Sequence, residues 1–594
     1  MLVAVAVAFV VLPIASTAFL GDDQFNSTVN GSLLEYGISL NQLAWQTTTG
    51  FLHQTSRFVP GFYYQAYGLF HFFPGLAEYK AIQIVLYGLS FALFALLLRL
   101  LRLGPAMTAS AVLLSLTAVQ FYGHYDAYLG FSATIPYWLA LTLSSWIAFT
   151  LWLRNPQGNW GRRIAVLLFV FSVLNYETLY PMSVGHLLIA MHMRGRAAWR
   201  DAWPFLAVTA AALAQIAIAR LVIPQPANAL YSLHVLSLEY IRTVFYQVTA
   251  SLPLMHLAFF GWRMFPPGTP FWSVAPWWLL ACVAAVSAAA AFLAFRALGG
   301  SPPRQLVLPA ALGAWLWVEA ALLLAAIPRY QVEVQLGYGY GPMALGGFGA
   351  AIVLACALAA IVARIPERRR QVAAAGLAAL YALVATVSFE ANQRTLALFE
   401  GERAALINLV AALDDGVASS VPDGAILLSA SPLAIMNRYD AMRDNISELD
   451  NPRFFVREHT GRAVRVRSLA EKPNAVACES ESCPVEDTYG LYDVPLDVRD
   501  GYTAVGRLSR VSRLGDGTLR PWADDVRVHV RGDRIADLGE HVRIVVAYVC
   551  ASGGAEHSTP LTASPAAIRH GVIVRIAASC PVDLTSVQIA QSPG

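Results

Sequence analysis

The sequence predicts an α-helical polytopic membrane protein that ends in a soluble α+β, β-rich domain. Three observations carry that prediction. Hydrophobic residues make up 57% of the 594 residues and charged residues only 13%, whereas soluble domains are roughly a quarter charged. Apolar stretches of spanning length recur from residue 1 to about residue 390. Beyond that the pattern changes to short β-branched runs separated by Gly and Asp turns.

A helical span needs roughly 20 predominantly apolar residues. The first runs over 1–20. It has no basic n-region and no A-x-A-like cleavage site, so it reads as a retained span rather than a removed signal peptide. Five basic connections follow: RLLRLG (99–104), RNPQGNWGRR (154–163), RGRAAWR (194–200), RALGGSPPR (296–304) and RIPERRR (364–370). The positive-inside rule places all five in the cytoplasm. The spans between them are expected at 79–101, 106–122, 134–153, 163–180, 181–193, 203–223, 276–297, 305–327, 343–363 and 371–389, about 11 transmembrane helices with the first. The pair at 163–193 is short and broken by Pro181, as a bent hairpin would be. An odd number of crossings puts the N-terminus inside and everything after about residue 390 outside. The Ala- and Arg-rich, Lys-poor composition is of bacterial type, so the expected location is a bacterial inner (plasma) membrane with the C-terminal domain in the periplasm.

Residues 224–275 do not read as a simple crossing. ALYSLHVLSLEYIRTVFYQ (229–247) is amphipathic at helical spacing, and Pro253, Pro266, Pro267 and Pro270 follow. One crossing here would invert every later basic loop, so the segment is expected as an outer amphipathic helix with a re-entrant or interfacial piece. The expected division is a membrane module, 1–394, with a first outer loop at 21–78, and a periplasmic domain, 395–594. That domain opens with an amphipathic helix (RTLALFEGERAALINLVAALDDGV), has a strand-like AILLSA (425–430), and carries VRVHV, HVRIVVAYVC and GVIVRIAASC. Cys478, Cys483, Cys550 and Cys580 all lie in it; an even number suits an oxidising compartment and two disulfides. Pairings 478–483 and 550–580 are favoured among the three possible; zinc is the rival reading, with poorly matched spacing. Cys282 and Cys356 lie in apolar stretches and read as buried thiols.

The net charge of +3 gives no reason to expect a nucleic-acid partner. The sequence has no G-x-x-x-x-G-K-[ST] loop and no H-E-x-x-H, so neither ATP-driven transport nor a zincin protease is indicated. The informative polar residues are on the outer connections. The first outer loop opens on FLGDDQFN (19–26), with Asp22 and Asp23 where the first span ends, and continues to Glu35, His53 and Arg57. Its middle, SLLEYGISLNQLAW, reads as one interfacial helix resting on Leu33, Ile38, Leu40 and Leu43. The next connection, FYGHYDAYLGF (121–131), carries His124 and Asp126. NYETLYP (175–181) carries Glu177, and PRYQVEVQLGYGYGP (328–342) carries Arg329, Tyr330 and Glu333. Acids beside an apolar boundary are costly unless used or paired, which raises a functional expectation.

In these features the chain resembles the GT-C superfamily of membrane glycosyltransferases. An acidic motif, GDDQ (21–24), ends the first span, a first outer loop with membrane-parallel helices follows, then about eleven spans and a soluble outer domain. The resemblance implies transfer of a sugar from a polyprenyl-phosphate donor to a glycan, lipid or protein acceptor, with Asp22 or Asp23 as catalytic base, Asp22 slightly preferred. Lipid phosphate is the leaving group, so positive charge should hold it: Arg329 first, with Arg57, His53 and Tyr330. Asp126, with His124, or Glu177 is the candidate second acidic or acceptor site. Asp22, Asp23 and Asp126 offer hard oxygens that could serve Mg²⁺ or Mn²⁺, although no spacing demands a metal. Tyr63, Tyr64, Tyr67, Tyr122 and Tyr125 could stack on sugars or form an ordinary interfacial belt. The alternatives are a lipid-glycan transporter or flippase, which would place charge at mid-membrane where Glu319 is the main instance, and an O-antigen polymerase or ligase.

Overall fold

The structure is a computed structural model. It describes the chain except residues 123–125, 157, 224–234, 236, 260–268, 299–302, 342, 430–449, 469–481, 494–499, 514–518, 533–539 and 592–594. The chain divides into two compact units, Met1–Asp23 with Leu40–Leu398, and Gln24–Ser39 with Phe399–Gly594.

The first unit is helical. After α1 (Leu2–Val11) and a 3-10 turn (Leu12–Ser16), the short α2 (Asp22–Asn26) opens on the acid pair. Then come α3 (Val29–Tyr36), which belongs to the second unit, α4 (Leu40–Thr55), α5 (Pro60–Phe72), α6 (Leu76–Leu100), α7 (Pro105–Thr117), α8 (Thr134–Arg154), α9 (Trp160–Asn175), α10 (Met182–Arg194) and α11 (Ala198–Val222). α12 (Leu238–Ala250), α13 (Met255–Phe259), α14 (Trp277–Arg296), α15 (Pro303–Ala325), α16 (Pro328–Glu333), α17 (Met343–Arg364) and α18 (Glu367–Asp414) complete it, α18 running on into the second unit.

A helix stands at each of the eleven expected span positions. Among the described residues seven are long and apolar enough to cross a membrane: α6, α8, α11, α14, α15, α17 and α18. α1 with its 3-10 turn and α7 are apolar but shorter. Residues 175–182 form the expected bend: α9 ends at Asn175, a 3-10 turn covers Glu177–Leu179 and α10 begins after Pro181. In the outer segment 224–275 the described helices are α12 and α13, of 13 and 5 residues, neither of spanning length.

Two expectations change. The single interfacial helix of the first outer loop is two helices, because Gly37 takes the left-handed conformation (φ +61°) that ends α3. The last span and the helix leading away from it are one continuous 48-residue helix, α18. Its polar residues are satisfied sideways, so no break is needed. Glu390 accepts the N–H groups of Val274 and Ala275, both at 3.1 Å, and Arg394 donates to the carbonyls of Pro270 and Phe271, both at 2.9 Å.

The second unit contains a mixed sheet. Its described strands are β1 (Ile426–Ser429), β2 (Arg465–Ser468), β3 (Ser482–Asp493), β4 (Asp500–Arg513), β5 (Leu519–Gly532), β6 (Val542–Cys550), β7 (His557–Ala563), β8 (Val572–Arg575) and β9 (Val582–Gln591). Their order is β2-β1-β3-β4-β5-β9-β6-β7, with β8 also on β5. β1 is parallel to both neighbours and the remaining pairs are antiparallel. Alternation sets the core: Val526, Val528 and Val530 of β5 and Val542, Ile544 and Val546 of β6 are all buried. Cys550 and Cys580 form a disulfide across a separation of 30 residues. Of the expected 478–483 pair, Cys478 lies outside the described residues. Cys356 is buried, but Cys282 is exposed on α14, contrary to its expected burial.

α3 packs within this unit against α19 (Asp450–Thr460). The approach is close at Gly31, where an added Cβ would lie 1.7 Å from the carbonyl oxygen of Phe454. Asn30 donates to Glu458 at 3.2 Å, and Tyr36 meets Phe454 edge-on at 5.4 Å. The first outer loop, expected at 21–78 within the membrane module, is divided: 24–39 groups with the C-terminal residues.

Candidate active site

The acid pair is held by a second loop. Gly21 has φ +55°, and a Cβ there would lie 2.8 Å from the carbonyl oxygen of Gly130, so the position demands glycine. This close approach lets the Asp22 N–H donate to that carbonyl at 2.9 Å. Asp23 is fully buried. It accepts a short hydrogen bond from the Ser132 N–H, and its other oxygen is 3.9 Å from Lys80 Nζ. Ser132 and Ala133 both have positive φ, at +48° and +53°. Such residues cost of order 1–3 kcal/mol each and persist where the surroundings dictate them. Here the strained pair aims a backbone donor at a buried carboxylate.

Burial and mutual repulsion push the Asp22 carboxyl up to about 7, with Arg329 acting in the other direction. Burial pushes Asp23 up to about 6, opposed by Lys80, the Tyr79 hydroxyl and Ser132. The two carboxyls differ in access: Asp22 is partly exposed, whereas Asp23 is enclosed.

Asp126 is engaged by its own loop. Its carboxylate accepts from the N–H groups of Tyr122, of Tyr128 at 2.6 Å and of Leu129 at 2.8 Å. It therefore ties the backbones of Tyr122, Tyr128 and Leu129 together beside Gly130, whose carbonyl meets Gly21. Burial raises its carboxyl to about 7 against those three donors. His124, its expected companion, lies outside the described residues.

Arg57 and Glu177, expected in separate roles, form a buried ion pair with each other. The Arg57 guanidinium lies 5.0 Å from the Phe51 ring centre and 4.9 Å from that of Tyr176. Burial opposes its charge, but Glu177, Tyr176 and Tyr330 outweigh burial and raise its pKa. Arg57 is thus committed to Glu177, and phosphate contact by it would require this pair to open. Tyr330 is buried on α16, its hydroxyl 3.5 Å from that of Tyr176. Tyr63 links the two clusters electrostatically, since its hydroxyl feels both Arg57 and Asp22. Arg329 is partly exposed, pairs with Glu333 at 2.7 Å, and is near enough to Asp22 for its charge to favour the carboxylate. His53 is exposed on the last turn of α4.

Of the predicted residues, the structure places Asp22 beside Asp23 with Arg329 within electrostatic reach of Asp22, and Arg57, Glu177 and Tyr330 in a cluster of their own. Sequence reasoning missed Lys80, Ser132, Tyr176 and Arg220, whose charge is within reach of Arg57 and Glu177. Lys80 had a signal: it is one of only two lysines in the chain and stands at the start of an apolar span. Among the described residues no group of three or more His, Cys, Asp and Glu is placed to hold a metal ion. Asp126 already binds three backbone donors, and one Asp23 oxygen binds Ser132.

No family model and no curated protein matches the sequence. Solved structures similar to the chain include ArnT from Cupriavidus metallidurans bound to undecaprenyl phosphate, at 13% identity and TM-score 0.34, covering 83% of this chain and 92% of that one. ArnT in the apo state gives 14%, 0.32, and coverage of 78% and 84%. The arabinosyltransferase EmbB from Mycobacterium smegmatis gives 11%, 0.32, and coverage of 99% and 64%. Superpositions at such scores do not decide fold or activity, so the functional reading rests on the site.

Proposed function

We propose that the chain is a membrane glycosyltransferase that moves a sugar from a polyprenyl-phosphate carrier to a hydroxyl of a glycan, lipid or protein on the outer membrane face. The single observation that carries this reading is the adjacent, desolvated pair Asp22 and Asp23 at the apolar end of the first span, with the charge of Arg329 acting on Asp22. A carboxylate beside a cation at a membrane boundary suits a reaction in which a hydroxyl loses a proton and a lipid phosphate departs.

Asp22 is the base. It is the accessible member of the pair, and a carboxyl near 7 is well matched to taking a proton at neutral pH. The acceptor oxygen attacks the anomeric carbon as its proton passes to an Asp22 oxygen. The bond from that carbon to the phosphate oxygen breaks, and polyprenyl phosphate leaves with the electron pair. Arg329 draws the phosphate through charge and its planar fork. Asp23 is a positioning residue that fixes the turn through Ser132 and Lys80. Arg57 with Glu177 forms a structural floor beneath Tyr176 and Tyr330. Donor sugar, carrier and acceptor are identified only by class.

The test is carrier turnover. The purified chain in proteoliposomes is given a panel of labelled polyprenyl-phosphate sugars with membrane extract as acceptor source, and release of polyprenyl phosphate is measured. The expected result is release from one donor class with label appearing in a new product. Unaltered lipid across hexosyl and pentosyl donors alike would remove the proposal.

A further inference from the structure

A cleft outside the acid-pair site lies at the basic-loop ends of two helices, far in sequence from that pair. α9 and α11 enclose a cleft of about 510 Å³ lined by Asn159, Arg162, Arg163, Leu167, Val170 and Trp203. Its chemistry divides along its length. At the mouth are two adjacent arginines; beyond them the walls are apolar, with Leu167 55% and Trp203 56% exposed.

The mouth is arranged for an anion. Asn159 makes no side-chain cap to α9, so the first backbone N–H groups of this 16-residue helix have no capping oxygen, and no acid stands in its first turn. Arg162 donates one guanidinium N–H to the Arg200 carbonyl at 3.1 Å and lies 5.3 Å over the Trp152 ring, which holds it at the cleft. Its Nε is buried without a hydrogen-bond partner. Arg163 lies 5.7 Å over Trp160. Trp160, Trp199 and Trp203 are exposed at the start of α9 and in the first turns of α11, and tryptophans of this kind are enriched where helices meet lipid headgroups.

We propose that this cleft binds one anionic phospholipid, with its phosphate between Arg162 and Arg163 and an acyl chain along Leu167, Val170 and Trp203. Charge complementarity with continuous apolar walls selects that occupant: a free phosphate would leave the walls bare, and a zwitterionic lipid would answer two arginines with no net charge. Basic pockets between membrane helices are an established mode of anionic-lipid capture. The site is independent of the glycosyltransferase reading.

The experiment uses the full chain in nanodiscs containing phosphatidylglycerol and phosphatidylcholine, transferred to native mass spectrometry. The wild type should retain one phosphatidylglycerol through detergent exchange. Arg162→Gln with Arg163→Gln should lower that retention on the order of tenfold. Arg368→Gln with Arg369→Gln, the same charge change on exposed residues of α18, should leave it intact. Leu167→Trp fills the cleft while keeping both arginines and should also release the lipid, so the proposal stays testable if the arginine pair fails to fold. Equal retention of both lipids, an unaffected cleft variant, equal loss in the α18 control, or equal thermal protection by inorganic phosphate alone would overturn it.

Discussion

Asp22 carries both a chemical task and a stability cost. Its carboxyl titrates near 7 in the folded chain against an ordinary value of 3.8. The folded state therefore keeps a proton that the unfolded chain releases, and stability falls as pH rises through that window. Asp22→Asn removes the buried charge. Its melting temperature should exceed that of the wild type by about 1–3 °C at pH ~8 and match it near pH ~4, while activity is lost. For the wild type, kcat should rise about tenfold per pH unit below ~7 and level above it, because the base must be ionised. Arg57 and Glu177 behave differently. Either single alanine variant leaves a buried charge without its partner and should cost about 3–5 kcal/mol. The double variant should cost much less than the sum, which a double-mutant cycle in thermal denaturation measures. The acid pair and Arg329 were legible in the sequence because each is a charge beside an apolar run. Arg57 with Glu177 was not: two outer-loop charges look alike whether they face a substrate or each other, and only the fold decides which.

At the scale of elements, the turn at Gly21 and the loop from Asp126 to Ala133 form one device. Asp126 gathers three backbone donors, Gly130 approaches Gly21, and the strained Ser132–Ala133 step directs an N–H to Asp23. Gly21→Ala forces a Cβ into the Gly130 carbonyl at positive φ and should cost about 1–3 kcal/mol together with activity. Ala133→Gly removes a positive-φ penalty and should raise the melting temperature. In the second unit, the 550–580 bridge closes a 30-residue loop, so Cys550→Ser with Cys580→Ser should lower stability by about 3–4 kcal/mol in a non-reducing buffer. Helix positions were readable because apolar length sets them. The continuity of α18 was not, because it depends on the backbone partners of Glu390 and Arg394 at Pro270, Phe271, Val274 and Ala275. Asp126 likewise read as a free acid because its donors are its own loop.

Across the whole molecule, the proposed chemistry uses the acids and Arg329 of the first unit, and the proposed lipid site is the cleft between α9 and α11. Division of the chain at Asp23 and Gln24 means that the acid pair stands at the last residues of one unit, and the next residue begins the other. The sequence displayed the two compositions but not the return of 24–39 to the C-terminal residues, which depends on Gly31 admitting the Phe454 backbone. The central claim is that the Asp22 carboxylate takes the acceptor proton. Its most direct test is the rate of polyprenyl-phosphate release from labelled donor by wild type, Asp22→Asn, Asp23→Asn and the double variant, each matched for expression and melting behaviour. A loss of about 10²–10⁴-fold in Asp22→Asn, no smaller in the double variant, is the predicted result; full activity in Asp22→Asn/Asp23→Asn would contradict it.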